Sequence, residues 1–197
     1  MATEIQPQRG GRGARQRIID AAVKLFYQEG VNATGVERLA AEASVSKRTL
    51  YQQFPSKVAV VQEYLGHIRQ HVGDPIRPDA GAARRSPRAR ILALFETPPV
   101  GSPMRGCPFH NAAVEAAAGM PEVHKIVEAH KKAYIDGLVT LARAAGAANP
   151  TLLGNQIAVL YEGAAALSTS LNEPEPWTHA RKAVHALVDA AVKGASA

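Results

Sequence analysis

Between Ala14 and His71 the sequence divides into four helical stretches joined by connections of only a few residues, which leaves few folds open. Ile18, Ile19, Ala22, Leu25 and Phe26 recur at steps of three and four and give one apolar stripe from about Ala14 to Glu29. Gly30 is placed to end that helix as a C-terminal cap. Thr34 reads as the N-cap of a short helix through Ala43, with Val36, Leu39 and Ala40 on its inner face. A tight turn, Ala43-Ser44-Val45, precedes Ser46, the cap of a third helix that runs to Phe54. Pro55 stops it, and Ser56 caps a fourth helix from Lys57 to about His71. Two short helices on either side of a tight turn match the helix-turn-helix pattern.

The remainder is expected to be helical too. Hydrophobic residues make up 46% of the chain and aromatics 5%, and apolar positions follow helical steps without strand-like alternation. The fold class is therefore all-α: an N-terminal three-helix head with a helix-turn-helix, then a C-terminal helical body. Residues 1–13 read as a polar, glycine-rich, disordered arm, 14–56 as the head, and 57–197 as the body, whose first helix connects the two. A proline- and glycine-containing segment from Gly73 to Pro87 reads as a loop. Body helices are expected over Pro87–Phe95, Phe109–Ala118, Pro121–Ala145, Thr151–Leu171 and Trp177–Val192, with breaks at Gly146–Pro150 and Asn172–Pro176.

Charge narrows the choice of partner. The net charge is +6, with Arg9, Arg12, Arg15 and Arg17 near the N-terminus and Arg77, Arg84, Arg85, Arg88 and Arg90 mid-chain, so a polyanionic partner and a merely basic surface are both open. One cysteine, Cys107, excludes an internal disulfide framework and suits a reducing compartment. The N-terminus lacks the apolar core of a signal peptide, and Glu162 interrupts the best candidate for a spanning helix, so a cytoplasmic location away from the membrane is expected.

The third helix carries the sharpest chemistry. Leu50 and Phe54, four apart, point inward, which leaves Lys47, Arg48, Thr49, Gln52 and Gln53 mainly outward. Such a set suits a DNA major groove: Arg for guanine, Gln for adenine, Thr for a thymine methyl. Lys47 and Tyr51 are better placed for phosphates, and backbone N–H groups near Thr34 and Ser46 add anion-binding capacity. A solvated polar helix face is the plainer alternative.

Residues 15–65 resemble the N-terminal domain of the TetR/AcrR family of bacterial regulators. The run that carries the likeness is Gly30-Val31-Asn32-Ala33-Thr34, Leu39-Ala40, Val45-Ser46-Lys47, Thr49-Leu50-Tyr51 and Phe54-Pro55-Ser56-Lys57, in order and at the family spacing. The resemblance implies phosphate contacts from Thr34, Tyr51 and Lys57, and base or phosphate contacts from Lys47, Arg48, Thr49, Gln52 and Gln53. It also gives the basic arm a second reading beside that of a solvated surface: Arg9, Arg12 and Arg15 would enter a neighbouring minor groove, as flexible arms of other helix-turn-helix proteins do. Three positions depart from the family pattern. Gly35 stands where a Thr or Ser is common, Ser44 replaces the usual turn glycine, and Arg48 replaces a commonly small residue. Ser44 is tolerable there only if its backbone is not strongly left-handed.

Beyond about residue 70 the likeness fades. What it implies is a sequence-specific DNA-binding transcriptional regulator, with double-stranded DNA bearing a palindromic operator, a small-molecule inducer and a second copy of the chain as partners. The implied action is that of a ligand-responsive repressor. The dimer would form through the last two helices: Leu153, Ile157, Leu160, Ala164, Leu167 and Leu171 make a stripe, Gly163-Ala164-Ala165 permits close approach, and Ala183, Leu187, Ala190 and Ala191 do the same on the last helix, although intramolecular core is the commoner use of such stripes. The segment Arg105 to Glu115 resembles a run in one subgroup of these regulators that precedes a pocket-lining helix. Phe95, Phe109, Met120, Tyr134 and Tyr161 are candidates for an apolar ligand wall, though core packing explains aromatics equally well. His110, Asn111, His124, Glu162 and Cys107 are candidates for polar ligand contacts. Cys107 and His110 suggest a nucleophile and a base, but no third orienting group is visible, so neither an enzyme nor a cofactor is expected. His67 and His71, four apart, lack a third metal ligand and read as surface histidines.

Overall fold

The computed structural model describes residues 13–71, 85–97, 105–116 and 119–193. Within them the chain is all-α: α1 (Ala14–Gln28), α2 (Val36–Glu42), α3 (Lys47–Gln53), α4 (Lys57–His71), α5 (Pro87–Ala93), α6 (Pro108–Ala116), α7 (Pro121–Ala144), α8 (Pro150–Leu171) and α9 (Glu175–Lys193). None of these is long and apolar enough to cross a membrane. The expected arm, including Arg9 and Arg12, lies outside the described residues, as does most of the Gly73–Pro87 loop.

Two compact units form, and they do not follow the chain in a single pass. Among the described residues, the first takes 13–71, 108–116 and 119–127, the second 85–97, 105–107 and 128–193. In the first unit, α1 packs against α2, α3 and α4, and α4 against α6. Ile18, Leu25, Leu39, Leu50, Val60, Val61 and Leu65 are sealed from solvent there, and Phe26 meets Tyr64 edge-on at 5.5 Å. In the second unit α8 packs along α9, and α5 against α9. Its core joins Ile91 and Phe95 to Leu138, Leu153, Ile157, Val184 and Val188.

Local chemistry sets the helix ends. Ser46 caps α3, its Oγ accepting the Thr49 N–H at 3.0 Å, and Ser56 caps α4 through the Ala59 N–H at 3.1 Å. Thr34 does not cap α2: its hydroxyl donates back to the Gly30 carbonyl at 2.7 Å, and Gly35 takes the N-cap position with no side-chain bond. Ser44, placed between α2 and α3, has φ +51, the left-handed conformation for which a glycine was the expected residue. A Schellman pair holds it there, Val45 N–H to the Ala40 carbonyl at 2.9 Å and Ser44 N–H to the Ala41 carbonyl at 3.1 Å.

The body helices differ from expectation at their ends, by one residue at the start of α6 and the end of α7 and more informatively in three others. α5 stops at Ala93, and tighter bonds from Leu94 to Ile91 and from Phe95 to Leu92 carry Phe95 into the core. α8 begins at Pro150, capped by Asn149 through the Leu152 N–H at 3.0 Å. α9 begins at Glu175, ahead of Trp177, because a proline at its second position needs no N–H partner in the first turn.

Candidate nucleic-acid interface

α3 is seven residues long, and its two faces differ as a groove-reading helix requires. Leu50 and the following Phe54 are buried at 0% and 2% exposure, fixing the helix on α1 and α2. Lys47, Arg48, Tyr51 and Gln52 are exposed; Thr49 and Gln53 are half-buried. The face presented to solvent therefore carries one guanidinium, one ammonium, a phenol and a carboxamide within two turns.

Several of these groups already have partners. The Lys47 ammonium pairs with Glu37 in the first turn of α2, which raises the lysine and lowers the glutamate from their ordinary pKa values, chiefly through the hydrogen bond itself. Ser46 Oγ and Thr49 Oγ1 share a bond of 2.8 Å, so both hydroxyls serve the helix start. Arg48 makes no ion pair among the described residues.

Two expected phosphate contacts, Tyr51 and Lys57, stand in different settings. Tyr51 is 43% exposed. Lys57 is half-buried at the start of α4, with its Nζ 3.5 Å from the Asn32 carbonyl. Burial pushes its ammonium below the ordinary lysine range, and the Glu115 carboxylate acts in the opposite direction.

Thr34 and Arg15 are placed unlike the sequence expectation. Thr34 is fully buried and its hydroxyl serves the α1–α2 turn, so its side chain presents nothing outward. Arg15 is fastened within the helical unit rather than free in an arm. Its guanidinium pairs with Glu63 at 2.8 Å, reaches the Gln53 carbonyl at 3.4 Å and lies 4.5 Å above the Phe54 ring. A neighbouring arginine, Arg17, donates from Nε to the Ala43 carbonyl at 3.1 Å and so ties α1 to the end of α2.

The ten candidate ligand residues fall into the two units. Phe95, Cys107, Tyr134, Tyr161 and Glu162 belong to the second; Phe109, His110, Asn111, Met120 and His124 belong to the first. In the second unit three aromatics gather, Phe95 with Tyr161 at 6.0 Å and Tyr134 with Tyr161 at 5.6 Å. Trp177, missed in the sequence, completes the cluster at 5.1 Å from Tyr161. Lys131, also missed, pairs with Glu162 and donates to Cys107 Sγ at 3.6 Å. Its signal was a lysine one turn before Tyr134 on α7. In the first unit Phe109 is buried, Asn111 and Met120 are half-buried, and His110 and His124 are exposed. The rings of His67 and His71 stack at 4.0 Å, and His71 Nδ1 is 3.0 Å from the His67 carbonyl.

A separate feature is an open groove between α8 and α9, lined by Val159, Gly163, Leu167, Leu171, His179 and Ala183 among others. Val159, Leu167 and Leu171 are 73%, 55% and 56% exposed, an apolar face left uncovered by the described residues.

Known proteins share the sequence of residues 18–64 and the helical fold. Residues 18–64 match the family described as bacterial regulatory proteins, tetR family. The transcriptional regulator SrpR of Pseudomonas putida is 33% identical over 82 residues, covering 42% of this chain and 38% of that protein. FasR, a transcriptional activator of Mycolicibacterium smegmatis, is 33% identical over 86 residues, covering 42% and 39%. The matched part thus spans about two-fifths of the length of these relatives. A TetR-family regulator from Streptomyces coelicolor superimposes with a TM-score of 0.78 at 26% identity, over 92% of this chain and 97% of that one. A TetR regulator from Chloroflexus aurantiacus shares the fold, with a TM-score of 0.75 at 23% identity over 92% and 97%.

Proposed function

Because the chain belongs to the TetR/AcrR family of DNA-binding transcriptional regulators, we propose that it is a cytoplasmic, ligand-responsive repressor that grips a palindromic operator as a homodimer. The observation that carries the DNA-reading part is α3 itself, a helix locked by Leu50 and Phe54 that turns Arg48, Tyr51 and Gln52 to solvent. In this reading Arg48 and Gln52 read base edges, with Thr49 and Gln53 at the margin of the same face. Lys47, Tyr51 and Lys57 hold phosphates, and the Ser46 N-cap brings the start of α3 to the backbone. Lys47 must then exchange Glu37 for a phosphate. Arg12 reaches the minor groove from the arm, whereas Arg15 acts indirectly, by holding α3 against α4.

The uncovered α8–α9 face supports the dimer. An isologous pairing would bury Val159, Leu167 and Leu171 of both copies, with Gly163 letting the helices approach. The inducer is assigned to the second unit, near Phe95, Tyr134, Tyr161 and the Lys131–Glu162 pair, where an apolar wall adjoins a charged fixer. An inducer that binds more tightly to a form with the wrong head spacing lowers DNA affinity by that difference.

Selection of DNA from a random pool at two salt concentrations tests the reading. A palindrome with two half-sites about one helical turn apart is expected. Recovery of no consensus, with binding that collapses as salt rises, would mean a sequence-tolerant DNA binder instead. A reporter under the selected operator then rises on loss of the protein if it represses, and falls if it activates.

A further inference from the structure

Glu115 lies in the last turn of α6 and reaches the turn between α1 and α2, 83 positions earlier in the chain. Its Oε2 accepts the Asn32 N–H at 2.6 Å, and its backbone carbonyl accepts the Asn32 Nδ2 donor at 3.0 Å. One residue of α6 therefore grips both the backbone and the side chain of Asn32. Gly30 leaves the room: a Cβ there would lie 3.0 and 3.1 Å from the two carboxylate oxygens, and its φ of +95° suits glycine alone. On the far side of the same residue, the Asn32 carbonyl faces Lys57 Nζ at 3.5 Å.

We infer that Glu115 is a positioning residue for the DNA-facing surface: by fixing Asn32, it holds the carbonyl on which the Lys57 ammonium rests and so sets where that ammonium meets a phosphate. The inference rests on the reading of Lys57 as a phosphate contact. Glu115 itself touches no DNA in this account. Burial disfavours the charged form of Lys57, and the Glu115 carboxylate acts in the opposite direction.

The test is binding to a labelled duplex of mixed sequence across a salt series, which needs no knowledge of the operator. Glu115→Gln keeps an acceptor for the Asn32 N–H and loses the charge; Glu115→Ala loses both. The change in charge is common to the two, so their difference isolates positioning. Glu115→Gln is expected to bind no more weakly than the unmodified protein. Glu115→Ala should bind roughly fourfold more weakly than Glu115→Gln at about 0.2 M salt, the factor that one phosphate contact supplies at a slope of about 0.9. In a Lys57→Ala background the two should bind alike. Equal binding with Lys57 present, or a difference that survives in Lys57→Ala, overturns the inference. If Lys57→Ala itself leaves the salt slope unchanged, the phosphate reading of Lys57 fails, and the inference with it. Should Glu115→Ala not fold, Asn32→Ala, which removes the Nδ2 donor and keeps the backbone N–H, carries the comparison. It is expected to weaken binding only when Lys57 is present, and equal weakening without Lys57 refutes the idea.

Discussion

Replacing Gly154 by alanine sets two effects of opposite sign against each other, and the structure decides between them. Gly154 is a buried position in the second turn of α8. In a helix open to solvent, Gly→Ala gains about 1 kcal/mol from propensity alone. Here the added Cβ would lie 2.7 Å from Val139 Cγ2, 2.8 Å from Val139 N and 2.9 Å from Val139 Cα. Two of those atoms are backbone of α7, so no rotamer change relieves the overlap and the helices must separate. Overpacking of this kind costs about 1–3 kcal/mol, and contacts to backbone place this site at the upper end. The net expectation is a loss of about 2 kcal/mol, or roughly 4–8 °C in melting temperature for a chain of this size. Gly66 in α4 is the control: apart from its own helix backbone, no described atom lies within 4 Å of its Cβ position. Gly66→Ala should therefore raise the midpoint, by roughly 2–4 °C for about 1 kcal/mol. Thermal unfolding followed by circular dichroism reads both. A Gly154→Ala protein as stable as the parent would refute the claim that α7 and α8 touch through their backbones at this residue.

Ser44→Gly removes a left-handed strain of about 1–2 kcal/mol and adds unfolded-chain entropy of about 0.5–1 kcal/mol, so chemical denaturation should show a net gain of about 0.5–1 kcal/mol. A loss would mean that the Ser44 side chain contributes a contact of its own. Arg15→Ala should lower stability by about 1 kcal/mol, a figure discounted for a side chain that is 48% exposed, while leaving the selected DNA consensus unchanged. A changed consensus would return Arg15 to the DNA. Glu42, bonded to Lys24 and paired with Arg38, titrates below the ordinary glutamate range, mainly through the Lys24 hydrogen bond. Its stabilisation is thus fully present above the unfolded-state value and is lost as pH falls through the depressed folded value. Glu42→Gln should accordingly show a smaller drop in stability on acidification, measured by denaturant midpoints; an identical acid profile would contradict the assignment.

Local signals in the sequence were dependable where one residue governs one feature. Ser46 and Ser56 cap the helices they were expected to cap, and α4 runs from Lys57 to His71 as the periodicity implied. They failed where two acceptors or donors compete. Thr34 was expected to cap α2, but the N-cap falls one residue later, at Gly35, and the Thr34 hydroxyl donates to the Gly30 carbonyl. Ser44 holds a glycine's conformation because the α2 terminus imposes two reversed hydrogen bonds on it, a demand that composition does not reveal. Arg15 looked like part of a basic run because Glu63 and Phe54, its true partners, are far along the chain. Asn32 and Glu115 illustrate the same limit. The outward face of α3 was legible because helical geometry alone decides it, whereas the Lys131–Glu162 pair needed two helices to be brought together.

The central claim is that α3 reads base identity, and the most direct measurement is DNA selection by the unmodified protein and by Arg48→Ala in parallel. The account predicts two consensus sequences that share their half-site spacing and most positions, with information lost in Arg48→Ala at one symmetry-related position in each half-site. That loss should correspond to roughly 1–3 kcal/mol of discrimination. An unchanged consensus from Arg48→Ala, and likewise from Gln52→Ala, would contradict the account and leave α3 as a polar surface.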